Sequence, residues 1–243
     1  MPGRRTTQDR LVIAGANAVA EALRSRLSVE RVYLAHTRVA TAVATMAQGR
    51  GVPVEWVPTS TLARLASGAH HQGVVARAAP YPYASLDEVV AAPGRGVLLL
   101  DGLQDPRNLG AVLRTAGAAG VQGVILPRHG TVRVTSTVIS ASAGVALHVA
   151  VAQVANLAQT MGRLKDGGYW LVGLAAGAEG RLDRLEPMER PALVLGGEGE
   201  GLRPLVRRHC DFLARIPMAA GVESLNASVA AGIALYEILM RRN

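Results

Sequence analysis

"VLLLDGLQDPRNLGAVLRTAGAAGVQGVILP", Val97 to Pro127, sets two apolar runs on either side of a longer segment that follows a proline and ends in glycine. VLLLDGL and VQGVILP are apolar residue after residue, without the alternation of a strand that has one wet face. Unbroken apolarity over strand length means burial on both faces, which is the mark of a parallel sheet covered by helices. The intervening NLGAVLRTAGAAG reads as the helix that joins the two strands.

The same pattern continues towards the C-terminus in YWLVGLAA, PALVLGG and FLARIPM, so residues 97–243 read as one parallel α/β domain. The stretch before it is of smaller scale. In residues 1–79, RVYLA, VPVEWV and the alternating HQGVVARAA are strands, with helices at NAVAEALRSR and TSTLARLASG. Thr59 or Ser60 is the expected N-cap of the second helix. Residues 80–96 are expected to be a linker, rich in proline and tyrosine at its start and holding a short helix.

Composition narrows the function classes. The chain has 243 residues, 49% of them hydrophobic, and no apolar run of bilayer length. The polar start MPGRRTTQDR is not a signal peptide, which makes the cytoplasm the expected location. The single cysteine, Cys210, excludes an internal disulfide, and six scattered histidines show no metal-ligand spacing, so no metal is expected. The net charge of +8 suits a polyanionic partner. A skewed composition competes with that reading, because 25 of the 26 basic residues are arginine and Lys165 is the one lysine. Residues 1–95 carry 11 arginines against 6 acids (+5), and the rest 15 basic against 12 acidic residues (+3). No dense basic tail exists, so an RNA site has to be a folded surface.

Ligands of parallel sheets collect beyond the carboxyl ends of the strands, and three such ends carry unusual loops. In the first, Asn108 is placed to cap the helix, and Arg114, six residues on and almost two turns later, is expected at a similar azimuth. An arginine in so apolar a run calls for an acidic, phosphate or carbonyl partner, unless it merely faces water. The second loop is LVLGGEGEGL, Leu193–Leu202. Its glycines suggest backbone approaching a nucleotide-like ligand, but Leu202 stands where G-x-G-x-x-G needs its last glycine. Glu198 and Glu200 would also repel a pyrophosphate, so a nicotinamide enzyme is disfavoured. The third is IPMAAGVESLNASVAAGIALYEIL, Ile216–Leu239. Helix capping accounts for one of Ser224, Asn226 and Ser228 and leaves two unexplained. Val229, Ile233, Tyr236 and Met240 form one apolar stripe of its helix, and alanines with Gly232 leave other faces without bulk.

These three stretches, in this order and at these separations, resemble the three signature motifs of the SpoU/TrmH branch of the SPOUT methyltransferases. More weakly, residues 1–79 are similar to the L30e-like RNA-binding domain that many members carry, and HQGVVAR before the linker is characteristic of that arrangement. The resemblance implies an α/β fold with a deep C-terminal trefoil knot, S-adenosyl-L-methionine as cofactor, and a homodimer through the knotted domain. It implies cofactor contacts from Leu195, Gly196, Ile216 and Leu225, with Met218 close by. It places Arg114 at the catalytic centre, with Asn108, Glu198, Ser224 and Asn226 around it. The implied reaction is methylation of an RNA ribose 2′-hydroxyl, and the length and layout point to a guanosine of large-subunit (23S) rRNA. The same transfer to tRNA or another rRNA nucleotide is the first alternative, and a non-catalytic RNA-binding or ribosome-assembly protein is the second.

A ribose hydroxyl is a poor nucleophile until its proton is withdrawn, so such an enzyme has to assist deprotonation and align oxygen, methyl and sulfur. Arg114 would position the hydroxyl and its phosphate, Asn226 and Ser224 would orient the nucleophile, and Glu198 would fix the arginine or the loop. Cys210 reads as structural. His70 and His71 sit at a turn, His148 and His209 show no partner in the sequence, and Arg4, Arg5 and Arg10 are candidate RNA contacts or a frayed terminus.

Overall fold

The computed structural model describes residues 10–199, 201–222 and 224–240. Arg4, Arg5 and Glu200 lie outside the described residues. The chain divides into two compact units. The first takes the chain up to Pro82 together with Val134–His148, and the second takes Tyr83–Arg133 with everything from Val149 on.

The first unit is a four-stranded sheet of β1 (Leu11–Ala14), β2 (Val29–Leu34), β3 (Val54–Trp56) and β4 (Val74–Ala78), in the order β1-β4-β2-β3. Its helices are α1 (Ala16–Arg24), α2 (Arg38–Gly49) and α3 (Thr59–Leu65). The alternation expected of HQGVVARAA does not translate into one wet face. Val74, Val75, Ala76 and Ala78 are all fully buried, because β4 is an inner strand. Only Arg77 stays exposed, its guanidinium 5.7 Å from the centre of the Tyr33 ring. The cap expected at Thr59 or Ser60 is also displaced: Pro58 holds the cap position, without a side-chain bond, and Thr59 is already helical. Proline's fixed φ carries the chain straight into the first turn.

A late stretch of chain completes this unit. The helix Ser136–Ala141 (α6 in chain order) lies along β1, where Ser136 Oγ accepts from the edge amide of Val12 at 3.2 Å. The Tyr81 hydroxyl donates to the carbonyl of Ala146 at 2.6 Å. Glu21 on α1 meets both His148 (2.7 Å) and Arg24 (2.6 Å), so His148, which looked partnerless in the sequence, has one. Partial burial pushes the Glu21 carboxyl up, and the hydrogen bonds from Arg24 and His148 outweigh it, holding the group below its ordinary range.

The second unit opens with α4 (Leu86–Ala91), whose capping box pairs Ser85 with Glu88. Then come β5 (Val97–Asp101), α5 (Pro106–Ala119) and β6 (Gly123–Pro127). After α6 follow β7 (Val151–Val154), α7 (Leu157–Asp166), β8 (Trp170–Leu174), the two-residue β9 (Gly180–Arg181) and β10 (Pro191–Gly196). The chain ends with α8 (Pro204–His209), β11 (Phe212–Arg215), α9 (Ala227–Leu235) and a π-helical turn at Tyr236–Met240. The seven strands lie in the order β7-β6-β5-β10-β8-β11-β9, and each registered pair is parallel. β5 and β6 are buried at every position, as their apolar runs require, and β5 closes on the buried Asp101. Leu99, Ile125, Leu171 and Val194 face Met161 and Leu164 of α7 in one apolar core.

The α5 helix ends as its sequence suggests, on Gly120 in left-handed backbone (φ 69°). Its start differs from expectation. Asp105 is the N-cap, accepting from the amide of Arg107 at 2.8 Å, and Pro106 is the first helical residue. Proline tolerates that position because the amide it lacks would be unpaired there anyway. Asn108 therefore sits inside the first turn, and its side chain is free for another use.

Candidate active site

That use is long-range. From the carboxyl edge of the second sheet, Asn108 Nδ2 donates to Glu198 Oε1, which comes from the loop after β10. Asn108 Oδ1 accepts from Asn226 Nδ2 at 3.1 Å, and Asn226 precedes α9. Asn226 Oδ1 in turn caps α9, accepting from the backbone amide of Ser228 at 2.9 Å and its hydroxyl at 2.6 Å. One line of hydrogen bonds thus joins the three loops. A carboxamide suits position 108, since it offers a donor towards the carboxylate and an acceptor towards the second amide. Capping accounts for Asn226 and the line accounts for Ser228. Ser224 is exposed and, among the described residues, its side chain makes no hydrogen bond.

Two features hold the loops in place. Asp101, the last residue of β5 and 1% exposed, accepts from Arg203 through the backbone amide (2.9 Å), Nε (2.6 Å) and Nη2. This ion pair ties the start of the first loop to the end of the second. The glycines of the second loop answer to backbone crowding. A Cβ on Gly196 would fall on the backbone of Gly201, and one on Gly197 would stand 2.5 Å from the carbonyl of Gly102. The loop is folded onto itself and onto its neighbour, so these glycines are needed whether or not a ligand approaches them.

Arg114 is exposed on α5 and makes no hydrogen bond or ion pair among the described residues. Six residues of α-helix advance about 600°, so Arg114 stands about 120° around from Asn108, not at the similar azimuth expected. The structure brings Asn108, Glu198 and Asn226 into contact and leaves Arg114 and Ser224 with uncommitted side chains. Leu195 is buried, Gly196, Ile216 and Met218 are half-buried, and Leu225 is 37% exposed. The backbone amides of Met218 and Leu225 donate to no other backbone carbonyl among the described residues.

The C-terminal helix buries its small-residue face. The small side chains Ala231 and Ala234, with Leu235, turn inward, and Gly232 faces Thr115 of α5. The bulkier stripe of Val229 (50% exposed), Ile233 (38%) and Tyr236 (48%) is left to solvent. Close helix packing through small residues is thus used inside the chain.

Asp101, Asp105 and Arg203 were not singled out in the sequence. An aspartate closing an otherwise apolar strand was the available signal, since a buried carboxylate requires a partner. Among the described residues no group of three or more His, Cys, Asp and Glu side chains could hold a metal ion. Cys210 lies at the end of α8, not in a strand, and bonds weakly to the carbonyl of Val206. Burial pushes its thiol up to about 11, which suits a structural role. His209 Nδ1 lies 2.9 Å from the carbonyl of Leu205, and His71 Nδ1 accepts from the amide of Gly73.

A covered parallel sheet with three hydrogen-bonded loops at its carboxyl edge, joined to a small α/β unit, is the architecture of an RNA-modifying enzyme class. The chain belongs to the SpoU rRNA methylase family, whose model matches residues 95–236, and is an RNA methyltransferase. A second model, described as RNA 2′-O ribose methyltransferase substrate binding, matches residues 12–84. YacO of Bacillus subtilis, assigned to the TrmH family tRNA/rRNA methyltransferases, is 41% identical over 239 residues, covering 95% of this chain and 96% of its own. The AdoMet-bound rRNA methyltransferase from Sinorhizobium meliloti superposes with a TM-score of 0.80 at 26% identity, covering 94% of this chain and 86% of that one.

Proposed function

We propose that the protein transfers the methyl group of S-adenosyl-L-methionine to a ribose 2′-hydroxyl of RNA, with a guanosine of 23S rRNA as target. The observation that supports the transfer is the line Glu198–Asn108–Asn226, which gathers all three loops at the edge of the sheet where a ligand belongs; the target follows from the length and layout of the chain.

The residues present fit that cofactor. Met218 and Leu225 offer backbone amides to a purine or a carboxylate, and Leu195, Ile216 and Leu225 offer apolar surface to the adenine. Glu198 belongs to the same group of loops, and a carboxylate attracts a cationic sulfonium where it would repel a pyrophosphate. When bound, the cofactor supplies a methyl group already activated by its positive sulfur. What remains is the work of the chain on the hydroxyl. Arg114, with uncommitted donors, positions the hydroxyl and the adjacent phosphate and lowers the hydroxyl's pKa. A guanidinium offers donors and no acceptor site, so it eases the proton's departure without being the final acceptor. Asn226 and Ser224 orient the nucleophile, and Glu198 fixes the loop through Asn108.

In this reading residues 1–79 form an L30e-like RNA-binding domain and 97–243 the catalytic domain. The return of α9 from the β11 side of the sheet to pack on α5 and β10 supports a trefoil knot. The exposed stripe Val229, Ile233 and Tyr236 supports a homodimer through the C-terminal helix. No described helix is long and apolar enough to cross a membrane, and we place the enzyme in the cytoplasm.

The relatives' names cover both tRNA and rRNA, so the alternative target is tRNA. A deciding experiment incubates the protein and labelled cofactor with rRNA and tRNA from a strain lacking the gene, then maps the label. A 2′-O-methyl guanosine in 23S rRNA is the expected result. Label in tRNA alone moves the target, and cofactor binding with no label in either RNA points to a non-catalytic RNA-binding protein.

A further inference from the structure

In the first unit the large apolar side chains left exposed among the described residues are Val39 and Trp56. His36, just beyond the end of β2, stacks on Trp56 at the end of β3. The ring centroids are 4.8 Å apart and the planes 7° from parallel. Trp56 is still 42% exposed, and His36 is exposed as well.

The surroundings favour an anion. Arg38 follows the stack by two residues, is exposed, and makes no ion pair among the described residues. Glu55, the acid next to Trp56, is engaged by Arg31 at 3.2 Å. Alongside, the amide of Ala35 bonds to the carbonyl of Gly73, so the start of β4 reaches the same end of the sheet. An open cavity of about 460 Å³ lies there, lined by His70, His71, Gln72 and Gly73 among others.

We infer that His36 and Trp56 form a stacking platform for an unpaired nucleobase of the RNA substrate, with Arg38 holding a flanking phosphate. The inference rests on RNA being the substrate and adds where, and in what state, it is gripped. Two near-parallel rings with an exposed indole present a π surface that a third planar ring extends. Such stacking is indifferent to base identity but requires a base outside a helix. The platform therefore selects a loop or bulge over a duplex.

The test uses the full chain with Trp170→Phe, which leaves Trp56 as the only tryptophan. An unstructured 12-nucleotide RNA is titrated in, and a duplex of equal length in parallel. The single strand is expected to quench Trp56 emission, and the duplex to leave it nearly unchanged. Trp56→Ala should weaken single-strand binding roughly ten- to hundred-fold, and Trp56→Phe by no more than about threefold. Absence of quenching in the Trp170→Phe chain, equal quenching by the duplex, or Trp56→Ala binding within twofold of wild type each overturns the platform. Methyl transfer by the same Trp170→Phe chain is read separately. Quenching without transfer would sink the enzymatic reading and leave the platform standing; transfer without quenching does the reverse.

Discussion

Asn108 and Asn226, 118 residues apart in sequence, share a 3.1 Å hydrogen bond, and through Asn108 that bond reaches Glu198. Three loops far apart in the chain are held in register by side-chain amides. Perturbing any member should move the others before it moves the sheet beneath them.

Asn226 has two roles, which substitution can separate. Asn226→Ala loses the cap of α9, costing about 1 kcal/mol, and also the bond to Asn108. Asn226→Ser keeps a capping oxygen but is too short to reach Asn108. The serine variant should melt near the wild-type midpoint and lose at least about tenfold in methyl transfer, the scale at which misplaced catalytic groups act. A serine enzyme with full turnover would show that the link to Asn108 is dispensable.

Arg114 makes no hydrogen bond or ion pair among the described residues, so its removal should be nearly silent in stability. Arg114→Ala is expected to unfold within about 0.5 kcal/mol of wild type, to bind cofactor normally, and to transfer methyl groups about a hundredfold or more slowly. Calorimetry and single-turnover kinetics read the three quantities. Near-normal turnover would remove Arg114 from the site.

The Asp101–Arg203 pair should respond asymmetrically. Arg203→Ala strands a fully buried carboxylate and is expected to cost about 3 kcal/mol or more. Asp101→Asn leaves a guanidinium that is 49% exposed and can be hydrated, so its cost should be smaller. Denaturant midpoints of the two variants decide it, and equal costs would contradict the burial argument.

Much of the fold was legible in unbroken apolar runs, because burial on both faces leaves little room for polar residues: β6 and β10 hold none, and β5 only the paired Asp101 at its end. The two-residue β9 and the short β7 were not, since so few residues carry no period. Helix starts were misplaced by one to three residues at Pro58 and Pro106, where proline sets the boundary and the polar residue downstream does not. The site residues were legible through their motifs. Their partners were not, because nothing local at Asn108 announces Glu198, and nothing at Asp101 announces Arg203.

Cys210 should be inert in the native chain. With its thiol pushed up to about 11, only roughly one molecule in a thousand is thiolate at pH 8. A disulfide exchange reagent at that pH should modify it slowly in buffer and at once in denaturant. Rapid native labelling would mean the thiol is far more open than the structure shows.

Glu21 gives a pH signature. Its carboxyl is held below the ordinary range, so its contribution to stability is full above the unfolded pKa, near 4.5, and fades as pH falls through the lower folded value. The melting difference between wild type and Glu21→Gln should therefore be largest near neutrality and shrink in acid. A difference that grows in acid would reverse the assigned direction.

The Val134–His148 stretch makes completion of the first unit wait until a segment of the second has been synthesised. The amide of Val12 waits for a hydroxyl 124 residues downstream, and the hydroxyl of Tyr81 for a carbonyl 65 residues on. By the time those partners emerge from the ribosome, β5 and β6 of the other unit already exist. The amino-terminal module is therefore begun first but stays unfinished until part of the other unit has been made. A fragment cut near residue 82 would carry a sheet with one border still open.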